Sequence, residues 1–247
     1  MLANRIIKVG LLLLGGVFIV LQGLKFELEG AAVSALMLVV LTFIYCRWTE
    51  IRSRLFFWFL VTFTIAHLLS YSAWYGPMIE KGEIDYYYYG ANILYIISYI
   101  FLIAKITTSL KLKKVFKELT IPIIILFLLD VFCVVLVTDT TKSALSIYEY
   151  TLEFVYNAIV MALLSVALID YMYRNDNKSM MFLLGSICIV FSEIIQLAYY
   201  YILDDRSLGF IYSFFLVIAF LFFYLQSQLQ YTGPEPAYMD IDEKLEA

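Results

Sequence analysis

Long apolar runs, separated by short polar or charged breaks, follow one another along almost the whole chain. A helix that crosses a bilayer core of about 30 Å needs roughly 20 mostly apolar residues, because each residue adds about 1.5 Å. Eight runs reach this length, and the connections between them are too short to hold a soluble domain. The predicted spans are Ile6–Leu24, Ala31–Trp48, Leu55–Gly76, Tyr87–Ile106, Leu119–Thr138, Ile147–Tyr171, Met180–Leu203 and Ser207–Gln228.

Composition supports this pattern, since 63% of the 247 residues are hydrophobic and only 15% are charged. The runs are continuous rather than alternating, which argues against a membrane β-barrel. The first run is flanked by Arg5 and Lys8, but no small-residue cleavage site follows it, so it is interpreted as a retained helix rather than a signal peptide. The sequence therefore predicts an all-α, polytopic transmembrane bundle of eight helices, in the inner membrane if the source is bacterial.

The 17 lysines and arginines fall unevenly on the two sides that these spans define, with thirteen on the side of both chain ends and four on the other. This bias predicts that both termini are cytoplasmic. The membrane domain is predicted to cover residues 1–230. Residues 231–247 carry Gly233, Pro234, Pro236 and several acidic residues, a composition typical of a disordered, acidic cytoplasmic tail.

Three ionisable side chains, His67, Asp130 and Glu193, lie deep inside the predicted spans. Such a group costs about 2.5–3.5 kcal/mol to insert, and those that remain usually face the bundle interior. Counted from the cytoplasmic edge at the rise of a helix, their depths are about 18, 16 and 20 Å. We therefore expect all three to share one layer near the bilayer midplane.

Further polar residues recur at helical spacing around this layer, although Asp130 has no such neighbour on its own helix. The alternative is structural, because interhelical hydrogen bonds also stabilise membrane bundles by about 0.6–2 kcal/mol each. Three ionisable groups at one depth nevertheless favour a shared polar cavity. Its other predicted lining residues are Ser70, Tyr71, Asn92, Tyr95, Glu153, Asn157, Ser192, Gln196 and Tyr200.

The predicted cavity suits acid/base chemistry. A carboxyl group in an apolar bundle favours its protonated form, so Glu193 or Asp130 is a candidate general acid. His67 is a candidate acceptor of a proton from water, or a partner of a carboxylate. No metal-binding spacing, phosphate-binding loop or nucleophile elbow occurs, and the three cysteines are interpreted as packing residues. We therefore predict no metal, no cofactor and no nucleic-acid partner.

The last three predicted spans contain the segments EFVYNAIVMALLSVAL, FLLGSICIVFSEIIQLAYYYI and LGFIYSFFLVIAFLFFYLQSQ. With the layout of eight helices and short loops, they resemble the carboxyl-terminal part of the YhhN family of lysoplasmalogenases. That family carries a Ser-Asp pair in its seventh helix, where this chain has Ser192-Glu193. It carries a Gly-Asp pair in the third helix, where this chain has Ala66-His67, and a Lys-Pro pair in the second helix that has no counterpart here.

The resemblance implies hydrolysis of the vinyl-ether bond of a lysoplasmalogen, with a membrane lysolipid as the partner. Glu193 would be the general acid, while His67 or Asp130 would activate water and stabilise the cation. The changed motifs favour a second hypothesis, in which the protein is a non-catalytic membrane subunit or lipid-binding partner of a larger envelope complex. A proton-coupled carrier or a retinal protein is less favoured, because the chain has no clear repeat and no lysine deep in its last span.

Overall fold

The structure is a computed structural model that describes residues 2–50, 52–77, 84–203 and 205–232, with the side chains of residues 2–5 left out. From residue 233 onward, the predicted acidic tail lies outside the described residues. Within those ranges the chain forms α-helices and no strand. The helices are α1 Leu2–Gly23, α2 Glu27–Trp48, α3 Arg54–Ala73, α4 Tyr86–Thr107, α5 Leu112–Glu118, α6 Thr120–Asp139, α7 Ile147–Arg174, α8 Asn177–Tyr201 and α9 Arg206–Ser227.

The eight predicted spans are confirmed, since every described helix except α5 is long and apolar enough to cross a membrane. The chain is thus a multi-pass integral membrane protein. Three helices, α1, α2 and α8, begin three or four residues earlier than predicted. Glu27 and Glu29 lie in the first turn of α2, where carboxylates interact favourably with the helix dipole, and α8 begins at Asn177 because Asp176 caps it. The seven-residue α5 was not predicted, because it is short and lysine-rich.

In the described part of the chain, seven helices form a closed ring in the order α1, α2, α3, α4, α7, α8, α9, with α9 packing back against α1. The remaining span, α6, lies outside this ring and packs chiefly against α7. Most of its large apolar side chains are exposed, as expected for a surface that faces lipid. The two sides of the bundle are named here the terminal side, where α1 begins and α9 ends, and the far side.

Buried aromatic rings fill the centre of the ring of helices. Phe59 of α3 stacks on Phe220 of α9 with ring centroids 5.9 Å apart, and it meets Phe223 edge-to-face at 5.7 Å. Phe182 of α8 joins the same cluster, 5.3 Å from Phe223. Close packing of α9 on α1 depends on Gly209, where an added Cβ would lie 2.7 Å from the backbone oxygen of Gln22.

A buried ion pair lies at the end of α7 on the terminal side of the bundle. Arg174 Nε donates to Asp170 Oδ1 at 2.7 Å, and its Nη2 donates to the carbonyl oxygen of Ser109 at 2.7 Å. The guanidinium also lies 4.0 Å from the ring centroid of Tyr231, just beyond α9. Arg174 therefore connects three parts of the chain, and Asp170 beneath it is fully buried.

Candidate functional site

The ring of helices encloses a cavity of about 550 Å³ in its far-side half. Its walls come from all seven helices of the ring, and its outer end is lined by aromatic residues such as Trp74, Tyr87 and Tyr201. These residues lie where α3 ends, α4 begins and α8 ends. The cavity therefore extends from the far-side interface toward the middle of the bundle.

Glu193 lies in this cavity on α8, held by hydroxyl groups from two other helices. Tyr99 of α4 donates a hydrogen bond from its hydroxyl to Glu193 Oε1. Tyr156 of α7 provides a further hydroxyl contact to the same carboxyl. Tyr99 is fully buried and Tyr156 nearly so. The carboxyl group is thus fixed in position while still facing the cavity.

His67 lines the same cavity from α3. Its Nδ1 lies 3.3 Å from Ser34 Oγ of α2. Its ring packs against Phe63 and Tyr95, with centroids 5.1 and 5.4 Å away. His67 is therefore confined between an aromatic surface on one side and a hydroxyl group on the other.

Four aromatic rings extend from His67 to Glu193 and are called here the aromatic wall: Phe63, Tyr95, Tyr99 and Tyr156. Phe63 meets Tyr95 at 5.0 Å and Tyr99 at 5.8 Å, and Tyr99 meets Tyr156 at 6.0 Å, all edge-to-face. These contacts join the four rings into one cluster, of which Phe63, Tyr95 and Tyr156 line the cavity while Tyr99 is fully buried. The faces of aromatic rings attract cations.

A further carboxyl group, that of Glu153, faces the cavity from α7. Only 8% of this side chain is exposed. Asn157 Nδ2 donates to Glu153 Oε1 at 3.2 Å and also lies 3.2 Å from Thr138 Oγ1 of α6. Glu153 and Glu193 are close enough to interact electrostatically. The cavity thus contains two electrostatically coupled carboxyl groups, one on each of two adjacent helices.

Most of the lining residues predicted from the sequence do lie in the cavity. The structure brings Glu193 and His67 into the same space, as predicted. Around them it places the predicted residues Ser70, Asn92, Tyr95, Glu153, Asn157, Gln196 and Tyr200. Helical spacing within each span therefore identified which polar residues share a face.

Asp130 lies outside the cavity, so the prediction that it faces the same space as the other two ionisable groups is wrong. It belongs to α6, which is outside the ring, and its carboxyl group interacts with Ser165 on the outer surface of α7. The helix rise gave its depth but could not give the direction in which it points.

Two other predicted lining residues also lie elsewhere. Ser192 is fully buried between helices, where its hydroxyl donates to the carbonyl oxygen of Tyr212 at 2.9 Å. The Tyr71 hydroxyl lies 3.0 Å from that of Tyr75 near the far-side end of α3. Ser192 therefore joins α8 to α9 rather than lining the site.

Several lining residues were not predicted. Tyr156 lies one helical turn after Glu153, so helical spacing is a signal that identifies it. Glu27 falls in a predicted loop, and Gln22 falls near the end of the first predicted span. The lining includes the acidic residues Glu27 and Asp85 beside the two glutamates already described, and among the described lining residues no lysine or arginine occurs. The cavity is therefore acidic and suits a ligand that carries a positive charge.

No protein-family model, curated protein or solved structure matches this chain. The resemblance to the YhhN family therefore rests on the quoted residues and on the layout of the spans.

Proposed function

We propose that the protein is an intramembrane hydrolase of lysolipids that carry a vinyl-ether bond, the lysoplasmalogen type. The observation that supports this proposal is a carboxyl group, Glu193, held by tyrosine hydroxyls inside a cavity of about 550 Å³. A cavity of this volume is within the range of small-molecule sites in proteins.

The chemistry requires one proton donor and a surface that tolerates positive charge. Protonation of the vinyl carbon gives an oxocarbenium ion, water adds to it, and the resulting hemiacetal collapses to an aldehyde and a glycerophospho-alcohol. Glu193 is the proton donor in this proposal. The rings of the aromatic wall that line the cavity, Phe63, Tyr95 and Tyr156, stabilise the oxocarbenium ion through cation–π attraction. Paired carboxyl groups around an oxocarbenium-like state have a physical precedent in glycoside hydrolysis.

Access from the far-side leaflet fits the shape of the site. The aromatic residues at the outer end of the cavity are of the type that lies at the level of lipid head groups. Glu27 and Asp85, at the same end, suit a head group that carries an amine. A lysolipid would therefore place its head group at the outer end and its vinyl-ether bond near Glu193.

The test compares the purified wild-type protein with Glu193→Gln in lipid nanodiscs, with release of fatty aldehyde from a 1-alkenyl lysolipid as the readout. We expect the substitution to lower kcat by at least about 100-fold, because general acid catalysis contributes about 10²–10⁴. Asp130→Asn is the matched control, since it removes a carboxyl group at membrane depth outside the cavity, and its kcat should stay within about threefold. Equal turnover by wild type and Glu193→Gln would contradict the proposal.

A second candidate is a non-catalytic lipid-binding subunit of a larger membrane complex. It is favoured by α6, which packs chiefly against α7 and leaves most of its apolar surface exposed for lipid or another protein. Native mass spectrometry of the protein extracted under mild conditions would reveal a partner. A protein that binds lysolipid, co-purifies with a partner and releases no aldehyde would support this candidate over the hydrolase.

A further inference from the structure

The carboxyl groups of Glu153 and Glu193 face one cavity from α7 and α8 and interact electrostatically. Two ionised carboxylates in an apolar site repel each other, so the state in which both are ionised is disfavoured. A carboxyl pair in unlike protonation states is the arrangement that acid/base hydrolysis requires. The sequence pointed to Asp130 for the second carboxyl, but that residue lies outside the ring.

The hydrogen-bond partners assign different roles to the two groups. Glu193 contacts tyrosine hydroxyls, which can both donate and accept and so remain bonded whether the carboxyl group is protonated or ionised. Glu153 Oε1 accepts from Asn157 Nδ2, an amide nitrogen that can donate but cannot accept. Glu193 can therefore give up a proton without losing its partners, while Glu153 is held as an acceptor.

His67 is less well placed to act on water. Its Nδ1 is engaged with Ser34, and its ring is confined against Phe63 and Tyr95 of the aromatic wall. These contacts suit a residue that completes the cavity surface. On these grounds we infer that Glu153 is the base that activates the attacking water, and this inference rests on the proposed hydrolase function.

The reaction balances with these two carboxyl groups and one water molecule. Glu193 transfers its proton to the vinyl carbon, which leaves positive charge on the adjacent carbon and ether oxygen. Water adds to that carbon while Glu153 takes one of its protons, giving a hemiacetal. As the carbon–oxygen bond to glycerol breaks, Glu153 gives its proton to the departing oxygen and the hemiacetal hydroxyl returns a proton to Glu193. Both carboxyl groups thus regain their starting states.

The test uses the full-length protein in nanodiscs with Glu153→Gln, Glu153→Asp and the control Asp130→Asn. Binding of a saturated 1-alkyl lysolipid, which has no vinyl group to hydrolyse, reports whether each variant keeps its site. We expect Glu153→Gln to bind this analogue with a Kd within about threefold of wild type and to lose at least about 100-fold in kcat. Glu153→Asp, which keeps the carboxyl group, should recover part of the loss, and Asp130→Asn should match wild type.

A second measurement does not depend on turnover. Infrared difference spectra across a pH series follow the carboxyl groups. In the described part of the chain, the titratable groups on neighbouring helices that interact electrostatically with Glu153 are Glu193 and Tyr201 of α8 and Tyr88 of α4. Glu153→Gln should shift the pH dependence of the Glu193 carboxyl band, and Asp130→Asn should leave it unchanged.

The outcomes separate the inference from the function on which it rests. If Glu153→Gln keeps more than about half of the wild-type turnover, the role of Glu153 is overturned while the hydrolase proposal stands. No aldehyde from the wild type would overturn the hydrolase proposal and the base role with it. An unchanged Glu193 band in Glu153→Gln would overturn the carboxyl pair whatever the turnover.

Discussion

Replacing Tyr99 with phenylalanine tests whether Glu193 depends on its hydroxyl partner. The substitution keeps the ring in the aromatic wall and removes only the hydroxyl that donates to Glu193 Oε1. Tyr99 is fully buried, so bulk water cannot replace the lost donor. The carboxyl group keeps its contact with Tyr156, which limits the loss to that of one hydrogen bond.

The expected magnitude follows from the energy of that bond. A net hydrogen bond contributes about 0.5–1.5 kcal/mol, and about 1.5–3 kcal/mol when one partner is charged. Glu193 becomes charged as it donates its proton, so Tyr99→Phe should cost about 1–2 kcal/mol at the transition state. That cost corresponds to about a 5- to 30-fold lower kcat, with KM nearly unchanged.

The assay is aldehyde release at saturating 1-alkenyl lysolipid, measured for Tyr99→Phe alone and combined with Glu193→Gln. Tyr95→Phe is the matched control, because Tyr95 also lies on α4 but its hydroxyl has Ser70 of α3 as its hydrogen-bond partner. If Tyr99 acts through Glu193, its effect disappears in the Glu193→Gln background. Full additivity of the two losses, or an equal loss in Tyr95→Phe, would refute the reasoning.

Two further predictions concern stability and are read from thermal unfolding of the purified protein. Arg174→Ala leaves the fully buried Asp170 without its ion-pair partner, which should cost about 3–5 kcal/mol and lower Tm by about 10 °C or more. Adding Asp170→Asn should restore part of the lost Tm. A Tm unchanged by Arg174→Ala would contradict the burial of the pair. Gly209→Ala forces α9 away from a backbone oxygen of α1 and should cost about 1–3 kcal/mol of stability. Gly16→Ala, whose added Cβ meets nothing within 4 Å, should leave the stability unchanged. Equal effects of the two substitutions would contradict the close contact between Gly209 and α1.

The spans were predictable because hydropathy and helix rise determine them directly. The same two quantities gave the depth of Glu193 and His67, and helical spacing gave several of their neighbours. Neither quantity determines which way an isolated polar residue points, so Asp130 was grouped with the cavity although α6 lies outside the ring. The position of α6 depends on α7 packing directly against α4, which leaves α6 outside the ring. This contact joins distant segments of the chain, and no local sequence pattern encodes it.

Other residues were missed because their sequence context suggested something simpler. Glu27 stands next to a charged break and was assigned to a loop, yet the helix dipole favours an acidic residue in the first turn of α2. In the sequence, Tyr156 resembles an ordinary packing residue. In the folded protein, Tyr99 of α4 and Glu193 of α8 lie beside it. The carboxyl site is therefore assembled by tertiary contacts, and only its individual parts are visible in the sequence.

The most direct test of the proposed proton transfer from Glu193 is hydrolysis of a 1-alkenyl lysolipid in heavy water, with the released aldehyde analysed by mass spectrometry. The account predicts one deuterium on the carbon next to the aldehyde group, a slower turnover than in ordinary water, and loss of labelled product in Glu193→Gln. Labelled aldehyde released equally fast by Glu193→Gln, or aldehyde without deuterium from the wild type, would contradict it.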